Sequence, residues 1–136
     1  MTGHVITVPG NIGTADAGTA RVFRAADRSL IPAVTPCGTT AIAREVNRDI
    51  SRSIGAGIEY LEDAMIDWSV TYDEVLFIHE GHLRVEFDGQ AHDCGPGDIV
   101  WLPQGTRLRY VASARVGYFY ALFPVDWAAR EGIDEP

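Results

Sequence analysis

Short runs of alternating hydrophobic and polar residues dominate the chain that follows Gly55. Alternation over four to eight residues is typical of half-buried β-strands, and the β-branched and aromatic residues in these runs favour strands as well. Glycine-containing turns at 80–81, 88–89 and 95–98 separate several of the runs, a spacing that favours an antiparallel sandwich or barrel over βαβ units. The pattern predicts seven strands, at 58–62, 68–72, 74–78, 82–87, 99–102, 108–111 and 116–123.

The first 54 residues have a different pattern, in which Gly, Ala, Thr and Pro surround two short apolar pieces, at 5–8 and 20–24. The segment at 39–48 is compatible with one or two helical turns capped by Thr, although its β-branched residues weaken a helix. We expect three regions: an N-terminal extension at 1–54 that wraps the barrel, the barrel core at 55–127, and a C-terminal tail at 128–136.

Length and composition exclude several classes of protein. A chain of 136 residues with 46% hydrophobic content fits one domain. Its formal net charge of −8 repels phosphate backbones, which excludes nucleic acid as a partner. All 11 basic residues are arginine, so chemistry on a lysine Schiff base is excluded. The sequence has neither a signal-peptide pattern nor a membrane-length apolar run, and it predicts a cytoplasmic protein without a membrane partner.

Two motifs with fixed spacing lie in the strand-rich region. Glu74 is followed by six residues and Gly81, while Gly97 is followed by five residues and the turn at 103–105. This pair of spacings resembles the two motifs of the cupin superfamily, and the resemblance covers roughly residues 55–125. It implies an all-β fold with a single cupin domain, which is a double-stranded β-helix or jelly-roll barrel, preceded here by the N-terminal extension.

The resemblance does not extend to the usual metal ligands. A metal-binding cupin has a His-x-His pair before the glutamate and a third histidine after the second glycine, where this chain has Trp68, Val70 and Leu108. Of the four ligands only Glu74 is present, and a single carboxylate binds a divalent transition metal weakly. We therefore predict that the protein uses no metal and no other cofactor.

A narrower resemblance agrees with this loss of histidines. The runs at 68–74, 80–81, 97–98, 103–105 and 123–127 resemble the cupin domain of the ethanolamine-utilisation protein Q (EutQ-like) family, which also lacks them. The resemblance implies a connection to bacterial ethanolamine catabolism and microcompartments. It also implies the acetate kinase activity that is attributed to the family.

The position of Glu74 at the start of an apolar strand suggests a role for it. If Glu74 points into the barrel, then Leu76 and Ile78 point the same way, so that the carboxyl group lies above an apolar floor. A buried carboxyl group needs hydrogen-bond partners, and Tyr72 and Tyr120 are the expected ones. We predict catalytic roles for Glu74, Tyr72 and Tyr120, and substrate-binding roles for Trp68, Val70, Leu76, Leu108, Tyr110 and Tyr118.

Three classes of function follow from these residues. The first is a metal-independent enzyme that performs acid–base chemistry on a small molecule, with a pKa of Glu74 raised by desolvation. The second is a non-catalytic ligand-binding or structural cupin, in which Glu74 is a structural polar group. The third is a metal-dependent enzyme with unconventional ligands. Apolar N-terminal pieces and open sheet edges additionally predict a homodimer.

Overall fold

The structure of the protein, a computed structural model, describes residues 18–132. The apolar piece at 5–8 and the last four residues of the predicted tail lie outside this range. The described residues form ten strands, a 3-10 turn at Ala25–Asp27 and one α-helical turn, α1, at Trp127–Arg130. The strands are β1 (Ile31–Thr35), β2 (Gly38–Val46), β3 (Gly55–Glu62), β4 (Ala64–Ser69), β5 (Asp73–Glu80), β6 (Leu83–Phe87), β7 (Gln90–Cys94), β8 (Ile99–Leu102), β9 (Arg107–Ala112) and β10 (Val116–Phe123).

Two antiparallel sheets form the fold, as the strand pattern predicts. The larger sheet has the order β1-β2-β3-β10-β5-β8, and the smaller one has the order β4-β9-β6-β7. Both sheets contribute their inward-facing side chains to one core, whose most deeply buried members are Leu61, Val70, Leu76, Ile78, Leu83, Val85, Leu102 and Val116. None of the helices formed by residues 18–132 has the length and apolar character that a membrane crossing needs.

All seven predicted strands are present, but one is shifted and three others were not predicted. The strand predicted at 68–72 runs at 64–69 instead. The chain leaves the sheet at Val70, whose N–H donates to the carbonyl of Thr106 (3.0 Å) and whose carbonyl accepts from the N–H of Gly105 (2.8 Å). Strands β1, β2 and β7 are the additional ones.

Strand β2 resolves the ambiguous segment at 39–48, most of which is extended rather than helical. It pairs antiparallel with β3 along 39–46, and this non-local pairing outweighs the weak local preference for a helix. The predicted boundary at residue 55 therefore falls between two paired strands of the larger sheet.

Alternation along β5 agrees with the predicted orientation of Glu74. The side chains of Glu74, Leu76 and Ile78 are buried, whereas those of Phe77 and His79 are exposed. Because successive residues of a strand face opposite sides, the carboxyl group of Glu74 points into the space between the sheets.

Gly57 allows β2 and β3 to approach each other closely. A Cβ atom built at this position would lie 2.1 Å from the carbonyl oxygen of Ala43 on β2 and 2.9 Å from the hydroxyl of Tyr120 on β10. The first distance is far below van der Waals contact, and the first obstacle is backbone, which cannot rotate away. Gly57 thus permits both the pairing of β2 with β3 and the position of the Tyr120 hydroxyl.

We expect Gly57→Ala to lower the free energy of unfolding by about 1–3 kcal/mol, because the added methyl group overpacks the strand contact. Chemical denaturation measures this change. Gly55→Ala is the matched control, because a Cβ at Gly55 would meet only the side chains of Leu122 and Val125, at 3.1 and 3.2 Å. Equal stability of the two variants would contradict the close approach of β2 and β3.

Candidate functional site

A cavity of about 250 Å³ lies between the two sheets. Its wall combines carboxyl groups, phenol hydroxyls and indole rings with aliphatic side chains. The residues that carry these groups come from distant parts of the sequence and include Glu59, Trp68, Tyr72, Glu74, Tyr110, Tyr118, Tyr120 and Trp127. Strand β2 closes one side of the cavity with Ile42, Arg44 and Val46.

Glu74 is the buried carboxyl group of this cavity. It lies near the start of β5, between Leu102 on β8 and Leu122 on β10, and only 7% of its surface is exposed. Burial raises the pKa of Glu74 to about 8, with a further contribution from the negative charge of Glu59. At neutral pH the side chain is therefore mostly the neutral acid, which can donate a proton.

Glu59 is a second carboxyl group in the same cavity, and the sequence analysis missed it. It lies on β3 directly opposite Tyr118 of β10, and its carboxylate accepts a hydrogen bond from the Tyr118 hydroxyl. Burial raises the pKa of Glu59, while the hydrogen bond from Tyr118 and the positive charge of Arg44 act in the opposite direction. The sequence does carry one indication of this position. Glu59 and the buried Leu61 are two residues apart in β3, so their side chains face the same side of the sheet.

The two glutamates lie in different environments, so different interactions determine the pKa of each carboxyl group. Glu59 has a hydroxyl donor and a nearby guanidinium that stabilise its ionised form, whereas the pKa of Glu74 is raised by both burial and the charge on Glu59. A negative charge on Glu59 disfavours the ionised form of Glu74 and so favours the proton on Glu74. Pairs of acids whose environments separate their pKa values are typical of acid–base sites.

Three aromatic rings form one end of the cavity. The indole N–H of Trp68 donates to the Tyr72 hydroxyl at 3.2 Å. Trp127, from the C-terminal α1, packs against Tyr72 with 4.8 Å between ring centroids and meets Trp68 edge-on at 6.2 Å. Trp68 is 37% exposed, so this end is where the cavity approaches solvent. The role of Trp127 at the cavity was not predicted from the sequence.

The structure brings most of the predicted site residues together. Tyr72, Glu74 and Tyr120 line the cavity, as do the predicted binding residues Trp68, Tyr110 and Tyr118. The other three, Val70, Leu76 and Leu108, are buried in the surrounding core but do not line the cavity.

The hydroxyl groups of the tyrosines in the cavity wall have distinct environments. The hydroxyl of Tyr72 accepts a hydrogen bond from the indole N–H of Trp68. Burial raises the pKa of Tyr72, Tyr110 and Tyr118, so that their hydroxyls are neutral at physiological pH. Glu74 lines the same cavity, where a ligand can meet its carboxyl group.

The residues of this cavity do not fit a metal ion of the kind that many barrels of this shape hold. The positions of the expected histidines are taken by Trp68, Val70 and Leu108, which offer no ligand atom suited to a transition metal. Across residues 18–132, no three His, Cys, Asp or Glu side chains converge in a group that could hold one.

Two facing antiparallel sheets around a small cavity are typical of the cupin class. A solved RmlC-like cupin from Shewanella frigidimarina matches this fold with a TM-score of 0.62 at 12% identity, over 77% of this chain and 91% of that one. The Clostridium difficile EutQ protein matches with a TM-score of 0.65 at 22% identity, over 71% of this chain and 70% of that one.

The sequence identifies the family within this class. The chain belongs to the family described as ethanolamine utilisation protein EutQ, whose profile matches residues 26–129. A relative from Escherichia coli, named acetate kinase EutQ, is 30% identical over 82 residues, which cover 60% of this chain and 35% of the relative. The chain spans about a third to a half of the length of the curated relatives that it matches.

The raised pKa of Glu74 predicts a specific pH dependence of stability. The folded protein keeps this proton up to a pH of about 8, whereas an unfolded glutamate loses it near pH 4.3. The contribution of Glu74 to stability is therefore complete below pH 4 and is lost as the pH rises towards 8. Gln at this position does not titrate. Between pH 4.5 and 7 we therefore expect the free energy of unfolding of Glu74→Gln to rise, relative to that of the wild type, by up to about 3 kcal/mol.

Denaturant unfolding of both proteins across this pH range measures the difference. Glu80→Gln is the matched control, since Glu80 is an exposed carboxylate at the other end of the same strand. A constant difference between Glu74→Gln and wild type from pH 4.5 to 7 would show that Glu74 titrates normally.

Proposed function

We propose that this chain binds a small polar molecule in the barrel cavity and that Glu74 transfers a proton to it or from it. The observation that carries the proposal is a buried carboxyl group, with a pKa raised to about 8, that faces a cavity. A group with a pKa near the working pH is the most effective general acid or base. Such a combination of desolvation and a specific charged neighbour is typical of functional sites.

The cavity volume limits the size of the ligand. The volume of about 250 Å³ equals the liquid volume of about eight water molecules. A molecule with a few carbon atoms and one or two polar groups fits this space, and a nucleotide does not. Amino alcohols and small carbonyl compounds of ethanolamine utilisation are of this size, and membership of the EutQ family supports them as the first candidates.

Each cavity residue has a distinct part in this proposal. Glu74 holds the proton that is transferred. Glu59, fixed by Tyr118, supplies a negative charge that keeps Glu74 protonated until a ligand enters. The rings of Trp68, Tyr72 and Trp127 cover the end of the cavity that approaches solvent and so reduce the access of water to the proton-transfer site. Tyr110 and Tyr120 line the cavity, where their side chains orient the ligand.

The curated relatives are named acetate kinases, and that activity differs from the proton transfer proposed here. Those proteins are about two to three times as long as the match to this chain, and the cavity described here has no glycine-rich loop for phosphate. We therefore propose proton transfer, or binding without chemistry, as the activity of this barrel. The two are distinguished by replacing Glu74 once a ligand has been found.

A thermal-shift screen of amino alcohols, acetyl phosphate, nucleotides and small carbonyl compounds identifies the ligand. For a substrate found in this way, we expect Glu74→Gln to reduce turnover by a factor of about 100 or more, because the amide keeps the shape but cannot transfer the proton. The melting temperature should stay the same or rise, since Gln, unlike Glu74, does not have to bind a proton when the chain folds at neutral pH.

Steady-state kinetics and the ligand affinity of the variant test this expectation, with Glu80→Gln as the control. Unchanged turnover with unchanged affinity would contradict the catalytic role. Ligand binding to both proteins without any conversion by wild type would support the non-catalytic alternative.

A further inference from the structure

Aromatic side chains supply much of the cavity wall. The aromatic residues that line the cavity are Trp68, Tyr72, Tyr110, Tyr118, Tyr120 and Trp127. The face of an aromatic ring carries partial negative charge, so it attracts a cation that lies within about 6 Å of the ring centroid. Several rings around one small space are the arrangement with which proteins bind organic ammonium ions. The wall therefore suits a cationic ligand.

Three of these rings form a corner at the end of the cavity that approaches solvent. The planes of Trp68 and Trp127 are nearly perpendicular, at 82°, and the ring of Tyr72 is tilted by 47° from that of Trp127. Rings at these angles do not cover each other's faces as parallel stacked rings would. The hydrogen bond from Trp68 to the Tyr72 hydroxyl joins two of the rings, so the corner is formed before a ligand enters.

The carboxyl group of Glu74 lies close to this corner. Burial raises the pKa of Tyr72, and the negative charge of an ionised Glu74 adds to that effect. The same two causes raise the pKa of Tyr110. Because a Coulomb interaction weakens with distance, Glu74 must be near both phenol hydroxyls. A carboxylate beside aromatic rings provides the two kinds of group that attract an ammonium ion, an anion and ring faces.

The arginines of the wall act elsewhere. Burial raises the pKa of Glu59, and the hydrogen bond from Tyr118 and the positive charge of Arg44 lower it, so the charge of Arg44 acts on Glu59. Arg48 follows the end of β2 and is exposed. At Glu74, burial and then the negative charge of Glu59 are the influences on the carboxyl group. The surroundings of Glu74 therefore favour a positive charge.

We propose that the cavity binds a small organic ammonium ion, which pairs with Glu74 and contacts the rings of Trp68, Tyr72 and Trp127. This inference rests on the proposed function and adds the chemical class of the ligand. When the cation binds, the O–H bond of the Glu74 carboxyl group breaks and its proton passes to solvent, while the ammonium group keeps its own protons. Glu74 is then a carboxylate in the complex, so the proposed proton transfer runs from the ligand to Glu74.

Three probes of similar shape and different charge test the ligand class. Butylammonium, 1-butanol and butyrate are each small enough for a cavity of about 250 Å³. In calorimetric titrations at pH 7.5, we expect butylammonium to bind about tenfold or more tightly than 1-butanol, and butyrate to bind more weakly than both. Equal or tighter binding of 1-butanol or butyrate would overturn the ammonium class and leave the binding of small molecules intact.

A lack of butylammonium binding at millimolar concentration would also overturn the inference. If the thermal-shift screen then finds a ligand of another class, the proposed function stands without it. If neither the probes nor the screen give a ligand, the proposed function fails as well.

The proton that leaves Glu74 gives an independent readout. At pH 7 we expect the release of close to one proton for each butylammonium bound, seen as a binding heat that depends on the ionisation enthalpy of the buffer. Since the free carboxyl group keeps its proton up to a pH of about 8, the affinity should rise by about tenfold from pH 6 to 7.

The source of this pH dependence can be assigned by substitution. The other titratable groups of the cavity wall are Glu59, Tyr72, Tyr110, Tyr118, Tyr120, Arg44 and Arg48. Phenol and guanidinium groups ordinarily titrate well above pH 8, which leaves Glu59 as the alternative source. Glu74→Gln retains Glu59 and should abolish both the proton release and the pH dependence, whereas the exposed control Glu80→Gln should retain both. The same pH dependence in Glu74→Gln and wild type would overturn the proposal.

Substitution of Trp127 tests the rings separately. Trp127→Leu should weaken the binding of butylammonium by about fivefold more than that of 1-butanol, because only the cation is attracted by a ring face. Trp127→Phe keeps a ring and is the matched control, and circular dichroism verifies that each variant is folded. Equal weakening for both probes would overturn the contact between cation and rings. This comparison decides if Glu74→Gln fails to fold.

Discussion

The proposed chemistry depends on one constraint, the free-energy cost of placing a carboxyl group in an apolar interior. Glu74 faces a cavity between two sheets and has little access to bulk water, so its ionised form is disfavoured. The neighbouring Glu59 carries its own donor in Tyr118 and adds a negative charge. Together these effects leave a proton on Glu74 at neutral pH, and the proposed chemistry follows from that proton.

One strand connects the interior of the barrel to its outer surface. β10 points Tyr118 and Tyr120 into the cavity and points Phe119 and Phe123 outward. Because side chains alternate with a period of two, a shift of the register by one residue would exchange the two sets. The bulge in the pairing of β10 with β5 lies between Gly117 and Tyr118, just before this stretch. The inward direction of Tyr118 and Tyr120, and with it the cavity wall, therefore depends on this strand register.

Local sequence patterns were sufficient for some features and insufficient for others. Alternation predicted most strands after Gly55 and the inward orientation of Glu74, because both depend on the two-residue period of a strand. β2 could not be predicted, because pairing with β3 determines its conformation. Glu59 was missed because a charged residue in an alternating strand is normally exposed. Its partner Tyr118 is 59 positions away in the sequence, and only the completed sheet brings them together.

The protonation state of Glu74 can be measured directly by following the side-chain carboxyl carbon of this residue by NMR as a function of pH, with Glu74→Gln to assign the signal. We expect Glu74 to titrate with a pKa of about 8 in the wild type. We expect a lower pKa of Glu74 in Glu59→Gln, because this substitution removes the neighbouring negative charge. Titration of Glu74 near pH 4.3 in the wild type would contradict the account, because the carboxyl group would then be an ordinary ionised side chain at neutral pH.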